Sequence, residues 1–295
     1  MKYQIMKCLS LVAIICVSGC LHYTSALSSS AIIASEPTDP NIERTLQRAK
    51  ESENQAKDKE SLSEAIGDYE QVLAYDPENE EALLSLGHLY LLQGDAYCRK
   101  KSQMKAFFIK ALQANERLMS LRNPAFRKKI ESGATVWDAA YLLTEKDMQA
   151  MHFWVTGVFY YYKDCLGFFG QVINYRWIKR AKLVMDAMAA IDPDWGDGML
   201  HFNFGCYYLS IPEAIGGDRV KAREYFDKAA ALGKDVMVSR WGRAKYFHQK
   251  MNNFDEQIDD FRWVARQNIE DYKDPVAWKY YFVADAEKNL KKKGY

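Results

Sequence analysis

Histidine side chains are the residues of this chain that would most simply supply catalysis or bind a metal. Four of them follow residue 42: His88, His152, His201 and His248. They stand far apart in the sequence, and none belongs to an HExxH motif or to another metal-ligand spacing. No glycine-rich loop follows a predicted strand, so Gly216-Gly217 indicates a turn rather than a phosphate-binding loop. The sequence therefore predicts no enzyme, no metal site and no cofactor.

The N-terminus carries a different chemistry, centred on Cys20. Two lysines precede an apolar run from Leu9 to Val17, which is shorter than the roughly 20 residues that span a bilayer. The sequence Val17-Ser18-Gly19-Cys20 then resembles the lipobox of bacterial lipoproteins, in which the cysteine thiolate takes the lipid. We expect residues 1–19 to be a signal peptide and Cys20 to be acylated. An ordinary signal peptide that happens to end in cysteine is the alternative.

Such an anchor would place the folded body at a membrane. Residues 20–41 are rich in Ser, Ala and Thr and contain Pro37 and Pro40, which predicts a lipidated, flexible tether. Residue 21 is leucine rather than aspartate, so nothing argues for retention at an inner membrane. We expect the periplasmic side of the outer membrane of a diderm bacterium. Residues 42–295 are predicted to form a single domain.

Charge and cysteine content narrow the function classes. The 295 residues have a formal net charge of +1, so the basic footprint of a nucleic-acid-binding protein is missing. Three cysteines follow the predicted tether, namely Cys98, Cys165 and Cys206, and their spacing matches no metal motif. Cys165 and Cys206 lie in aromatic runs, and we interpret them as small core residues. We expect no nucleic-acid partner.

Repeated spacings predict the fold. Ala65, Tyr69, Val72 and Pro77 lie at offsets of 0, 4, 7 and 12, which is one face of a helix followed by a helix-ending proline. The pattern recurs at irregular intervals, with an extra or lengthened helix around residues 104–121. We therefore predict an all-α, irregular tetratricopeptide-like array of helical hairpins with inserted helices. The further copies are Ala181, Met185, Met188 and Pro193, then Ala222, Phe226 and Ala229, and lastly Gln257, Phe261 and Val264.

Aromatic residues make up 14% of the chain and concentrate between Tyr141 and Tyr208 and again after Tyr246. They either line a cavity or oligomer interface, or pack in the core, which is the default for such residues. His201 could bind an anionic ligand or be a hydrogen-bonded core histidine. The candidate cavity residues are Phe153, Trp154, Tyr160, Tyr161, Trp177, His201, Tyr207 and Tyr208.

Residues 190–229 resemble the T-component proteins of tripartite ATP-independent periplasmic (TRAP) transporters, and the resemblance extends over about residues 60–290. It implies a periplasmic lipoprotein with a tetratricopeptide-like fold, a homotrimer with a pore-like channel in each protomer, and pairing with a solute-binding P component. It also implies a small organic ligand. The motifs are Asp192-Pro193 with Trp195, Gly198 with His201, Gly205 with Tyr207-Tyr208, Pro212, Gly216-Gly217-Asp218, and Lys221-Ala222 with Phe226.

Two functions from different classes remain open at this point. The first is a transport accessory that is anchored to the membrane by lipid, binds a P component and passes a ligand through an aromatic cavity. The second is a helical-repeat scaffold whose concave face binds an envelope-assembly partner.

Overall fold

The computed structural model describes residues 24–28 and 41–295, and every regular element in them is helical. The predicted all-α class is confirmed. The helices are α1 (Ile42–Asn54), α2 (Lys59–Tyr75), α3 (Glu80–Leu92), α4 (Lys101–Arg122), α5 (Pro124–Glu131), α6 (Val136–Ala139), α7 (Met148–Tyr160), α8 (Phe168–Ile191), α9 (Met199–Ser210), α10 (Arg219–Leu232), α11 (Val238–Gly242), α12 (Phe254–Ala265) and α13 (Val276–Lys292).

Consecutive helices pack as hairpins, with the closest pairings in α1–α2, α3–α4, α9–α10 and α12–α13. The spacings found in the sequence mark the buried faces of these hairpins. Ala65, Ala181 and Ala222 are fully buried, and the residues four and seven positions after each of them are buried as well. Small residues at these positions let two helices approach around one large side chain.

The last helix closes the array onto its beginning. Helix α13 packs against α1 and α3 as well as against its own partner α12. The Tyr281 hydroxyl donates to Asp95 just after α3 at 3.1 Å, and Lys57 lies over the ring of Tyr280. Helices α7, α9, α11 and α13 are thereby brought around a common interior.

Two π-helical segments shape that interior. Helix α7 continues as Tyr161–Cys165, and α11 continues as Arg243–His248 and a last turn, Gln249–Met251. Such segments re-aim side chains and are frequent at functional sites. Arg243 fixes the second segment, because it donates two 2.8 Å hydrogen bonds to Asp260 on α12 and one to Asp227 on α10.

The helix ends follow their sequence signals with one correction. Asp218 caps α10 by accepting from the N–H groups of Val220 and Lys221, as the Gly-Gly-Asp sequence predicts. The sequence Asp274-Pro275 is typical of an N-cap followed by the first helical residue, but α13 begins at Val276 behind Pro275 and has no side-chain cap. The Asp274 carboxylate reaches another helix instead, as described below, because the chain between α12 and α13 carries it to the start of α11.

A short piece of the predicted tether lies on the folded body. Ser25 and the N–H of Ala26 donate to the buried Glu116 carboxylate on α4 at 2.9 and 3.0 Å, and Ala26 is buried. Cys20, the predicted signal peptide and residues 29–40 lie outside the described residues. Among the described helices, none combines the length and the apolar character needed to cross a membrane.

Candidate functional site

Two adjoining cavities lie between α7, α9, α11 and α13. One, which we call the aromatic cavity, has a volume of about 80 Å³, and the other, the lysine cavity, about 510 Å³. They share the wall residues Phe159, Tyr160, Cys206 and Tyr246. The aromatic cavity also includes His152, Phe153, Asn203, Trp241, Asp274, Trp278 and Phe282, and the lysine cavity includes Lys163, Leu209, Ser210, Lys245, Gln249 and Lys250.

One face of each helix supplies these walls. On α7 and its π-helical continuation the lining positions advance by three or four residues from His152 to Lys163. On α9 they advance in the same way from Met199 to Ser210. Residues at these intervals share one helix face, so the cavity-lining side chains of each helix form one continuous row along its axis.

The polar groups of the aromatic cavity are mostly uncharged. Burial lowers the pKa of His152 to about 4, so its ring is neutral near pH 7. The ring nitrogen Nδ1 accepts from the Asn203 amide at 2.9 Å, which leaves the proton on Nε2. The indole N–H of Trp278 is buried without a hydrogen-bond partner among the described residues. This end of the interior is therefore lined mainly by apolar rings, with neutral hydrogen-bonding groups among them.

Asp274 is the acidic residue on the wall of the aromatic cavity. Its carboxylate accepts the N–H groups of Met237 and Val238 at 2.6 and 3.3 Å, at the start of α11. Burial raises the pKa of Asp274 to about 6, although these backbone hydrogen bonds oppose the rise. The carboxyl group therefore fixes the first turn of α11 against the loop before α13.

This raised pKa gives the stability a pH dependence. Between about pH 4 and pH 6 the folded protein retains a proton on Asp274 that the unfolded chain releases. The free energy of unfolding should therefore fall by about 1–3 kcal/mol as the pH rises through this range. The variant Asp274→Asn removes the titrating carboxyl group, keeps one oxygen acceptor for the shorter hydrogen bond from the Met237 N–H, and should show a smaller fall. Urea unfolding at pH 4 and pH 6.5 measures it. Asp164, whose pKa burial also raises to about 6, contributes equally to both proteins, and identical pH dependences would contradict the role of Asp274.

Two lysines of the lysine cavity are paired with carboxylates behind its wall. Lys163 lies 3.1 Å from Asp95 and 3.3 Å from Asp164, and Lys245 lies 3.3 Å from Asp285. Burial opposes the charge on Lys163, but the neighbouring carboxylates raise its pKa overall. These ammonium groups are therefore held in place by fixed partners.

Lys163 also marks the junction of the two cavities. Its ammonium lies 4.7 Å from the ring centre of Tyr160 and 4.8 Å from that of Tyr246, which is cation–π distance. Cys206 faces the same junction, and burial raises the pKa of its thiol to about 12. A protonated thiol is a poor nucleophile, so Cys206 serves as a wall residue.

Two of the eight candidate cavity residues, Phe153 and Tyr160, line the aromatic cavity. The other six are absent from the walls of both cavities. Trp154 and Trp177 pack against Trp137 instead, with ring centres 6.4 and 5.4 Å away. Tyr161 is buried, with Lys105 over its ring. The surroundings of these three residues match the alternative of core packing.

The remaining three candidates belong to the α9–α10 hairpin. The Nε2–H of His201 donates to the Asp194 carboxylate at 2.6 Å, and the ring stacks on Tyr225 of α10. Tyr208 also stacks on Tyr225, with their ring centres 5.6 Å apart, and Tyr207 contacts Tyr208 edge-on. These side chains pack α9 against α10. The cavity walls are formed by a different face of α9, which carries Asn203 and Cys206.

Several wall residues were not among the sequence candidates. Trp278 and Phe282 of α13 belong to the aromatic run after Tyr246, but nothing in the local sequence connected that run to residues 150–210. Trp241 of α11 precedes the run. Cys206 was interpreted as a core residue. The three- and four-residue spacing from His152 to Lys163 was the signal that could have identified the α7 row.

No group of three or more His, Cys, Asp or Glu side chains suited to a metal occurs in the described part of the chain. Comparison with family models gives a match to the TRAP transporter T-component family over residues 58–260. The chain belongs to this family. T-components are accessory transport proteins, and the match ends about 30 residues before the resemblance we had expected. The search of curated proteins found no match.

The motifs that carried the resemblance to T-components act here through helix packing. A Cβ on Gly205 would lie 2.9 Å from the ring of Phe226, so glycine lets α9 and α10 approach. Gly216 has φ +112°, a conformation that side chains strongly disfavour, and it turns the chain toward Asp218. These motifs build the hairpin whose other face contributes Asn203 and Cys206 to the cavities.

Proposed function

We propose that this T-component binds a solute-binding P component and passes a small organic ligand through the joined cavities. The observation that carries the proposal is that the two cavities adjoin along Phe159, Tyr160, Cys206 and Tyr246, so a ligand that moves between them would pass these side chains. Apolar walls with a few polar groups are typical of small-molecule sites. The size of the lysine cavity suits a ligand of a few rings or a short chain.

The location and assembly of the protein belong to the same proposal. Lipidation of Cys20 would hold the protein on the periplasmic side of the outer membrane, and three copies would form a homotrimer. Light scattering on the chain from Leu21 tests the assembly, and a monomer at every concentration would contradict it. Mass spectrometry of the membrane-extracted protein tests the lipid, and an unmodified Cys20 would contradict it.

Binding to the P component is the most specific test of the partner. We expect the full chain, extracted from membranes, to bind a TRAP P component from the same genome with a Kd in the range of about 0.1–10 μM. A solute-binding protein from an unrelated transporter is the control.

Equal binding of both proteins, or no binding of either, would overturn the pairing. Recovery of envelope-assembly proteins alone would then favour the scaffold function over the transport function.

A further inference from the structure

The lysine cavity has a strongly one-sided wall. It is lined by Lys163, Lys245 and Lys250 and by no aspartate or glutamate. The carboxylates that pair with Lys163 and Lys245 lie behind the wall. The charged groups that a molecule inside the cavity would meet are therefore ammonium groups.

Lys250 differs from the other two because its charge is not balanced. Its ammonium donates to the carbonyl oxygen of Leu209, in the last turn of α9, at 2.6 Å. No carboxylate lies within ion-pair distance of it among the described residues. An ammonium group has three N–H donors, so this helix-end contact leaves two for a further acceptor.

The surroundings of Lys250 disfavour an isolated positive charge. Partial burial and the positive charge of Arg219 both lower the pKa of Lys250. The Arg219 guanidinium is exposed and forms an ion pair with Glu213 at 3.0 Å. A negative group beside Lys250 would relieve this cost, because an opposite charge favours the charged form of lysine.

We propose that Lys250 is an anion-binding residue and that the ligand is an amphipathic organic anion. Its acidic group lies at Lys250, and its apolar ring or chain extends past Cys206 and Phe159 toward the aromatic cavity. This orientation follows from the two ends of the interior. The Lys250 end carries an ammonium without a carboxylate partner, whereas the other end carries aromatic rings and the carboxyl group of Asp274, which would repel an anion. The inference rests on the proposed function, because it assumes that the joined cavities hold a ligand.

Two fluorescent probes with the same ring system separate charge from apolar contact. Anilinonaphthalene sulfonate carries an acidic group, and N-phenyl-1-naphthylamine lacks it. Both are titrated into the chain from Leu21, which retains every residue that the structure describes. We expect Lys250→Met to weaken binding of the sulfonate about tenfold, as for loss of a charge-assisted hydrogen bond, and to leave the neutral probe unchanged. Lys250→Arg keeps the charge and should retain most of the sulfonate affinity.

The outcomes distinguish this inference from the function on which it rests. Equal sulfonate affinity in wild type and Lys250→Met would overturn the anion site. Unchanged binding of the neutral probe in Lys250→Met shows that this variant is folded. If a bulky substitution at Cys206 left the affinity for the neutral probe unchanged, the cavities would not be the ligand route, and the proposed function would be overturned instead.

Discussion

Replacing Cys206 with tryptophan is expected to lower the affinity for the neutral naphthylamine probe at least tenfold. Cys206 lies on the walls of both cavities, so an indole there fills the junction that the ligand must occupy. A tenfold loss corresponds to about 1.4 kcal/mol, which steric exclusion from an apolar site readily supplies. Fluorescence titration of the wild-type and Cys206→Trp proteins measures the effect.

The matched control is Cys206→Ser, which keeps the size of the side chain and should bind the probe within about twofold of wild type. Both variants should unfold in one transition near that of the wild type, because the indole enters space that is already open. Strong probe binding in a folded Cys206→Trp protein would show that the route lies elsewhere.

Truncation of Phe226 to alanine should reduce the free energy of unfolding by about 3–5 kcal/mol. Phe226 is fully buried and packs against Phe202 and Phe247, with ring centres 5.5 and 5.6 Å away. It also fills the space beside Gly205. The alanine variant leaves a cavity at the point where α9, α10 and α11 meet, so the wall formed by α9 should also lose its fixed position.

Phe169→Ala is the matched control, because Phe169 is 76% exposed on α8 and its truncation should change the free energy of unfolding by less than about 0.5 kcal/mol. Urea denaturation followed by circular dichroism compares the three proteins. Equal destabilisation by the two substitutions would contradict the assigned packing of α9 on α10.

Much of the fold follows from local sequence. Spacings of four and three residues, as in Ala222, Phe226 and Ala229, mark buried faces because a helix repeats every 3.6 residues. Gly216-Gly217-Asp218 encodes a turn and a cap through conformational freedom and a side-chain acceptor. The packing of α13 against the first helices was not predictable in this way. It depends on contacts such as that between Tyr281 and Asp95, two residues that are 186 positions apart in the sequence.

The cavity walls were harder to predict than the helices. Aromatic density selected residues such as Trp154 and Tyr207, but a buried aromatic ring has the same sequence pattern whether it faces the core or a cavity. The choice depends on how α7, α9 and α11 are rotated against one another. That rotation is fixed by distant pairs such as Arg243 with Asp260, which a single sequence does not reveal.

The role of Lys250 illustrates the same limit. A lysine after an aromatic helix is normally interpreted as a solvated residue, and its charge becomes informative only when its neighbours are known. Lys163 and Lys245 are each compensated by a carboxylate, whereas Lys250 has only the Leu209 carbonyl oxygen as a partner in the part of the chain that the structure describes.

An organic ligand bound in the two adjoining cavities can be located directly. A crystal structure of the protein with a brominated N-phenyl-1-naphthylamine locates the probe through the anomalous signal of bromine. We predict a peak between α7, α9 and α11, in contact with Cys206 and Tyr160, and no peak there in the Cys206→Trp protein. A bromine site only on the outer surface of the helices, with both cavities empty, would contradict the account.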